Sequence, residues 1–297
     1  MSSKQVIVVF TATGKTGGGM IDAILNDGQF AARAVTRNPE SDAAKALAAK
    51  GVQVVKGDLS DPASIEAALS GAYGVFGVTD YWQAFGNEEK QGKDLVDAAK
   101  RAGIKHFVWT TLDHSDLKVT HFETKANVDD YLKESGVPRT SLYTSFFLEN
   151  LRFPQMIKIN RSADGTVVFD VPFKTDSPLP MIFAGDIGKA ALVAFKNPEQ
   201  WIGKDLKIVT EWATPRDIAK TIESELGEKV TVKEVDDAQW KASRAWPNFE
   251  ELWLNIEYFN TFYPEGNGRS VELTREIIPN ATTLKSFIQA EGKSLIQ

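Results

Sequence analysis

The residues of this chain best suited to proton chemistry are His121 and Lys125, in the segment Thr120-His121-Phe122-Glu123-Thr124-Lys125. Thr120 and Glu123 have the spacing of a capping box, which predicts a helix starting at His121. His121 and Lys125 then lie one turn apart on one face. The stripe continues through the apolar Val128 and Leu132, so it faces protein or a cleft and not open water. An imidazole there can pass a proton to a reacting group. The other reading of His121 is a structural or supporting role.

A second constellation binds rather than reacts. Val6 to Phe10 is an unbroken β-branched and aromatic run, as expected of a buried parallel strand. It enters Thr11-Ala12-Thr13-Gly14-Lys15-Thr16-Gly17-Gly18-Gly19, and beyond it Met20, Ile21, Ile24 and Leu25 recur at helical spacing. Strand, glycine turn and helix make a phosphate cradle: the first helical turn has unpaired N–H groups and a positive dipole end. Gly14 and Gly17 match the last two glycines of a G-x-x-G-x-x-G spacing, and Thr11 stands where the first would be. A glycine turn alone is common and purely structural in many proteins; the flanking strand and helix favour a dinucleotide here. The Cβ of Thr11 crowds a tight turn that glycine would accept.

The elements that position these groups alternate strand and helix. Ala31 to Thr36 reads as the second strand, followed directly by Arg37. An acid at this place would take a ribose 2′-hydroxyl, whereas an arginine can fork onto the 2′-phosphate of NADP. A solvated surface arginine is the alternative, and Glu40 would oppose a phosphate if it pointed the same way. After a third strand, Val52 to Val55, Asp58 can accept from an adenine amino group or cap the next helix, a task for which Asp61-Pro62 competes. Gly74 to Thr79 is the fourth strand, and its end, Thr79-Asp80-Tyr81-Trp82, falls at the crevice edge where open α/β sheets hold ligands. Gln83 to Glu89 reads as a polar loop, and Lys90 after it is either within reach of a cofactor or simply solvated. His106 to Leu112 and Arg139 to Phe147 are the fifth and sixth strands.

Beyond them the rhythm breaks into short strands (Val167 to Val171, Lys207 to Thr210), helices (Asp186 to Phe195, Arg216 to Leu226), a Pro-rich loop from Asp176 to Met181 and an aromatic stretch from Asn248 to Phe262. The expected architecture is a Rossmann-type doubly wound parallel sheet over residues 1–150 with a smaller α+β annex over 151–297, some of whose segments could pack back on the sheet.

The composition narrows the function. The chain has 297 residues, no cysteine and a net charge of −6. Disulfides, thiolate nucleophiles and Cys-ligated metals are excluded, and a cytosolic or nuclear protein is the natural expectation. No Lys/Arg-dense stretch supplies an electrostatic footprint for nucleic acid. No apolar run approaches the roughly 18 residues of a membrane span.

Taken together, VVFTATGKTGG, AVTRNP, VVKGDLSD, GAYGVFGVTDYW, KQGKDL, HFETKANVDDYL and FFLENL resemble the NmrA-like family of atypical short-chain dehydrogenases, closest to its NADPH-sensing HSCARG branch. The resemblance spans nearly the whole chain. It implies an NADP(H) site made of Thr11, Ala12, Thr13, Gly14, Lys15, Thr16, Gly17, Arg37, Asp58, Leu59, Thr79, Asp80, Tyr81, Lys90, Lys125, Phe146, Phe147, Leu148 and Glu149. Short-chain dehydrogenases use Tyr-x-x-x-Lys for acid–base work, the lysine binding the nicotinamide ribose. They also place a Ser or Thr on the preceding strand to hold a substrate carbonyl. This chain offers Lys125, His121 in place of the tyrosine, and Thr110 or Thr111. Two functions follow as expectations: a regulator whose conformation or oligomer follows NADP(H) occupancy and is read by a protein partner or homodimer, or an NADPH-dependent reductase of a small carbonyl or other unsaturated substrate.

Overall fold

In the computed structural model the β-branched runs of the first half become strands and the amphipathic stretches helices. It describes residues 4–84, 86–154, 156–234, 236, 238, 249–261 and 267–297. The chain starts β1 (Val6–Val9), α1 (Lys15–Asp27), β2 (Ala31–Thr36), α2 (Asp42–Ala49), β3 (Gln53–Lys56), α3 (Pro62–Leu69) and β4 (Gly74–Gly77). It continues with α4 (Tyr81–Ala84), α5 (Glu88–Arg101), β5 (His106–Thr111), α6 (Thr120–Ser135) and β6 (Arg139–Tyr143). Then come β7 (Phe146–Phe147), β8 (Lys158–Arg161), β9 (Val167–Val171), β10 (Leu179–Ile182), α7 (Ala184–Lys196), α8 (Pro198–Trp201) and β11 (Lys204–Lys207). The remainder holds β12 (Glu211–Ala213), α9 (Pro215–Leu226), β13 (Val230–Glu234), α10 (Phe249–Thr261), α11 (Val271–Ile277) and α12 (Leu284–Glu291).

Packing divides the chain into two units. The first comprises Met1–His114, His121–Thr144 and Ala184–Lys207; the second comprises Ser115–Thr120, Ser145–Phe183 and Ile208–Gln297. The first unit is a Rossmann-type sheet, parallel throughout, in the order β11-β6-β5-β4-β1-β2-β3. Strand order reverses at β1, between β4 and β2. Val8 and Phe10 join Ile65, Leu69, Leu95, Val96, Val128 and Leu132 in one buried cluster, under α3, α5 and α6. Alternation along β1 sends Ile7 and Val9, both fully buried, to the other face. There α1 and α7 cross at contact distance: a Cβ on Gly19 would lie 2.5 Å from the Gly185 carbonyl oxygen, and one on Gly188 2.3 Å from the Met20 nitrogen. Late in the sequence, α7 and β11 thus complete the first unit.

Local chemistry sets the ends of the helices. Ser41 caps α2 by accepting from Ala44 N–H, and Asp61 caps α3 by accepting from Ala63 N–H with Pro62 at the first helical position. α1 stops at Gly28, left-handed at φ 75°, whose N–H returns to the Ile24 carbonyl.

The second unit holds two three-stranded sheets, β12-β10-β7 and β13-β9-β8. Phe146, Phe173 and Phe259 form an edge-to-face aromatic core with centroids 5.3–6.2 Å apart. Phe259 belongs to the aromatic stretch noted in the sequence, of which Asn248 and Phe262 lie outside the described residues. Two expectations change here. The Pro-rich segment is a loop only as far as Pro178; Leu179 to Met181 enter β10, the central strand of its sheet. Pro180 is accommodated because β10 meets β7 only from Met181 onward, so the missing N–H falls outside that ladder. The strand expected at Lys207 to Thr210 is β11, which begins at Lys204 and ends at Lys207.

Candidate functional site

The glycine turn lies at the carboxyl end of β1, where the strand order reverses. Thr11 adopts a left-handed backbone with φ 48°. Its carbonyl accepts from Gly14 N–H at 2.8 Å. That carbonyl also leaves no room beside Gly17, where a Cβ would lie 2.4 Å from the Thr11 oxygen. Gly17 is therefore required by close backbone approach, whereas Thr11 takes a strained conformation that glycine adopts at no cost. Gly14 is the N-cap of α1, and Thr13, Gly14 and Lys15 are exposed while Ala12 is buried. The result is a row of amides at a helix start, open on the outside and rigid within.

Arg37, one residue past β2, donates to the Gln83 side-chain carbonyl. The Gln83 amide nitrogen donates in turn to Asp80 at 2.6 Å. Asp80 accepts from Trp82 N–H at 3.1 Å and Gln83 N–H at 3.3 Å, starting α4. The polar loop expected from Gln83 to Glu89 thus contains the end of one helix and the start of the next. Glu40 turns to Lys45 at 3.3 Å. Asp58 accepts from Ser60 N–H at 2.8 Å, while Asp61 does the capping, so the two acids divide the tasks that competed in the sequence. Leu59 packs on the core, and Lys90 pairs with Asp94 at the surface.

Lys125 is held in place by a buried acid. Its ammonium pairs with Glu88, whose side chain is 1% exposed, and also donates to the Thr79 carbonyl at 3.2 Å and hydroxyl at 3.1 Å. Thr79 donates to the same carboxylate at 2.8 Å, and Thr124 donates to its other oxygen. Glu88 is the first residue of α5, where the dipole favours a carboxylate. Sequence reasoning missed it by assigning it to a loop; an acid opening an amphipathic helix was the signal available.

His121 packs in a ring cluster with Tyr81 and Trp82, each centroid 5.6 Å away, and Phe122 at 4.7 Å. The helix starts one residue earlier than expected: Thr120 is its first residue, with its N–H donated to Glu251, and Glu123 takes His114 Nδ1 at 3.0 Å. Thr110 and Thr111 are buried with hydroxyls committed to main-chain carbonyls: Thr110 to Gly77 at 3.1 Å, Thr111 to Lys125 at 3.2 Å and Leu112 at 3.3 Å. Phe146, Phe147, Leu148 and Glu149 lie in the second unit, Phe146 within its aromatic core and the last two on a 3-10 turn.

His114 was also missed. Its ring bridges Glu123 and, at 2.9 Å, Asp130, and these hydrogen bonds raise its pKa. His106 is the opposite case. Fully buried on β5, it has a pKa lowered to about 4 by desolvation. Thr140 gives its hydroxyl proton to the Trp201 carbonyl, so it accepts from His106 Nε2 at 2.8 Å; among the described residues Nδ1 has no hydrogen-bond partner.

A parallel sheet with a glycine cradle at its reversal point and an arginine beyond the second strand defines a Rossmann-type protein of the dinucleotide-binding class. Residues 3–288 match the model of the NmrA-like family, and the chain belongs to that family. It is 29% identical to the nitrogen metabolite repression protein nmrA of Emericella nidulans, over 81% of this chain and 71% of the relative. It is 26% identical to the NmrA-like family domain-containing oxidoreductase FrzB of Cladobotryum sp, over 86% of this chain and 84% of the relative. The crystal structure of NmrA, a negative transcriptional regulator, in complex with NADP superposes with a TM-score of 0.83 at 25% identity, covering 97% of this chain and 95% of that one. Among the described residues, no helix is long and apolar enough to cross a membrane, and no cluster of His, Asp and Glu could hold a metal ion.

Proposed function

We propose that this chain binds NADP(H) at the first unit and acts as a redox-sensing regulator whose conformation or oligomeric state follows cofactor occupancy, read by a protein partner or a second copy of the chain. The residues suit the cofactor. The turn from Thr11 to Gly17 offers exposed amides to a pyrophosphate, and Gly17 has no room for a side chain. Arg37 would take the 2′-phosphate, Asp58 the adenine and Lys125 the nicotinamide ribose, with Leu59 and Thr79 included by family resemblance. Asp80, Tyr81 and Lys90 complete the first unit's set by family resemblance.

The observation that carries the regulatory reading is the Lys125–Glu88 pair. A group that contacts Lys125 is wired to the first residue of α5, and so to the segment Tyr81 to Lys90 leading into it. Occupancy could therefore reorganise that segment, provided the two arrangements differ in affinity for the cofactor. Hydrogen exchange and light scattering with and without NADPH test this. Altered protection at Tyr81 to Lys90 with a change in oligomer size is expected. Protection confined to the glycine turn and Arg37, at constant size, would leave a cofactor site without a switch.

A second reading, an NADPH-dependent oxidoreductase, is favoured by His121 and Lys125 lying one turn apart on α6 and by the oxidoreductase relative. Bound NADPH would supply the hydride. In this reading His121 would deliver the proton.

A further inference from the structure

The first unit contains a connection across its own binding crevice. β2 and β4 are the two neighbours of β1 in the sheet. Arg37 follows β2, Asp80 follows β4, and the glycine turn that follows β1 lies between them. Gln83 spans this gap. Its side-chain oxygen accepts from Arg37, and its side-chain nitrogen donates to Asp80. The partners fix the amide's orientation, because guanidinium only donates and an ionised carboxylate only accepts.

We propose that Gln83 is a specificity-determining latch: it occupies Arg37 across the carboxyl end of β1, and a 2′-phosphate must displace it to reach the guanidinium. This rests on the reading of Arg37 as the 2′-phosphate site and adds a residue that competes for it. The chemistry favours the exchange. A neutral amide oxygen is a weaker acceptor for guanidinium than a dianionic phosphate, which binds in a charge-assisted, two-point manner. A dinucleotide lacking the 2′-phosphate gains nothing from Arg37 and leaves the latch closed. Discrimination between the two cofactors is thus the phosphate's contact with Arg37 less the contact with Gln83 that it replaces. Release of Gln83 also removes one of the bonds holding α4, on which Tyr81 and Trp82 pack against His121.

Gln83 and Arg37 are both exposed, so substitutions there do not create core defects. The test is titration calorimetry of NADPH and NADH against wild type, Gln83→Ala, Gln83→Glu and Arg37→Ala. Gln83→Ala should tighten NADPH about 3- to 10-fold with NADH unchanged, because the competitor is gone. Gln83→Glu should weaken NADPH at least 10-fold, because a charged acceptor now holds Arg37. In Arg37→Ala the effect of Gln83→Ala should vanish. Wild-type binding of NADPH with unaltered affinity in both Gln83 variants would overturn the latch and leave Arg37's role standing. No preference for NADPH in wild type, or its retention in Arg37→Ala, would overturn the Arg37 assignment and the latch with it.

Discussion

Glu88 and Lys125, brought together from the start of α5 and the first turns of α6, form an ion pair in which the carboxylate is buried and the ammonium nearly so. The pair is closed by Thr79 and Thr124, so each Glu88 oxygen has a donor. Such a pair adds little net stability over an apolar packing, but its halves are costly apart. Lys125 is consequently a fixed cation, unlike a lysine on a solvated helix face. Gly92, one turn into α5, allows the approach, since a Cβ there would lie 2.5 Å from a Val128 methyl group.

Glu88→Ala should therefore destabilise the protein by about 3 kcal/mol, at the low end of the range for breaking a buried pair because Lys125 keeps some exposure. Replacing both partners, as Glu88→Met with Lys125→Met, should recover most of that loss. Urea unfolding checks both. A double variant as unstable as the sum of the two single variants would mean that the residues do not act as a pair.

The sheet was legible in the sequence because its strands are short β-branched runs ended by turn residues and separated by helical periodicity. The cradle was legible for the same reason: Gly14 and Gly17 stand at fixed offsets from a strand end. What sequence could not supply were partners far apart along the chain. Arg37 meets Gln83, Lys125 meets Glu88 and His114 meets Asp130 only after the strands are ordered. Four residues are too few to show a period, so the sequence of helix α4 does not distinguish it from loop. Pro180 argued against the strand it occupies, and only the register with β7 explains its place.

The turn at Thr11 leads to a pair of opposed predictions. Thr11→Gly relieves a left-handed conformation that costs a non-glycine residue about 1–2 kcal/mol, offset by about 0.4–1 kcal/mol of added freedom in the unfolded chain. Stability should rise by up to about 1.5 kcal/mol. Gly17→Ala drives a methyl group into the Thr11 carbonyl and should cost about 2 kcal/mol or more, with loss of cofactor binding. Denaturant unfolding and cofactor titration together decide. A stable Gly17→Ala protein that binds NADPH normally would show that the turn can shift and that the close approach is not required.

The two histidines with shifted pKa values act on opposite sides of their ordinary value of 6.5. His106 is held neutral in the folded protein down to about pH 4, whereas the unfolded chain takes up the proton near 6.5. Stability should fall as pH drops through that window, by about 3 kcal/mol at 1.36 kcal/mol per pH unit. For His114 the folded value is raised, so its contribution is present below 6.5 and is lost as pH rises through the folded value. Half-exposed, it should contribute less than about 1 kcal/mol. Unfolding free energies from pH 4 to 8 check both, with His106→Asn flattening the acid limb and His114→Gln the other. An acid limb unchanged in His106→Asn would assign the loss to other groups.

The last prediction separates chemistry from cofactor binding on α6. Lys125 donates into the site next to Thr79, while His121 lies one turn earlier among aromatic rings. If the chain is a reductase, His121→Phe keeps the ring packing but removes the proton donor. It should lower kcat by about 100-fold or more, with NADPH affinity little changed. Lys125→Ala should instead weaken NADPH binding, and it also leaves Glu88 buried without its cation, so its stability must be measured alongside. NADPH oxidation assayed against aldehydes, quinones and imines supplies the rates. Unchanged turnover in His121→Phe would remove His121 as the acid. Turnover with none of these substrates, in a wild type that binds NADPH and changes exchange at Tyr81 to Lys90, is the outcome expected of a regulator, in which the ring cluster couples α4 to α6 and moves no proton.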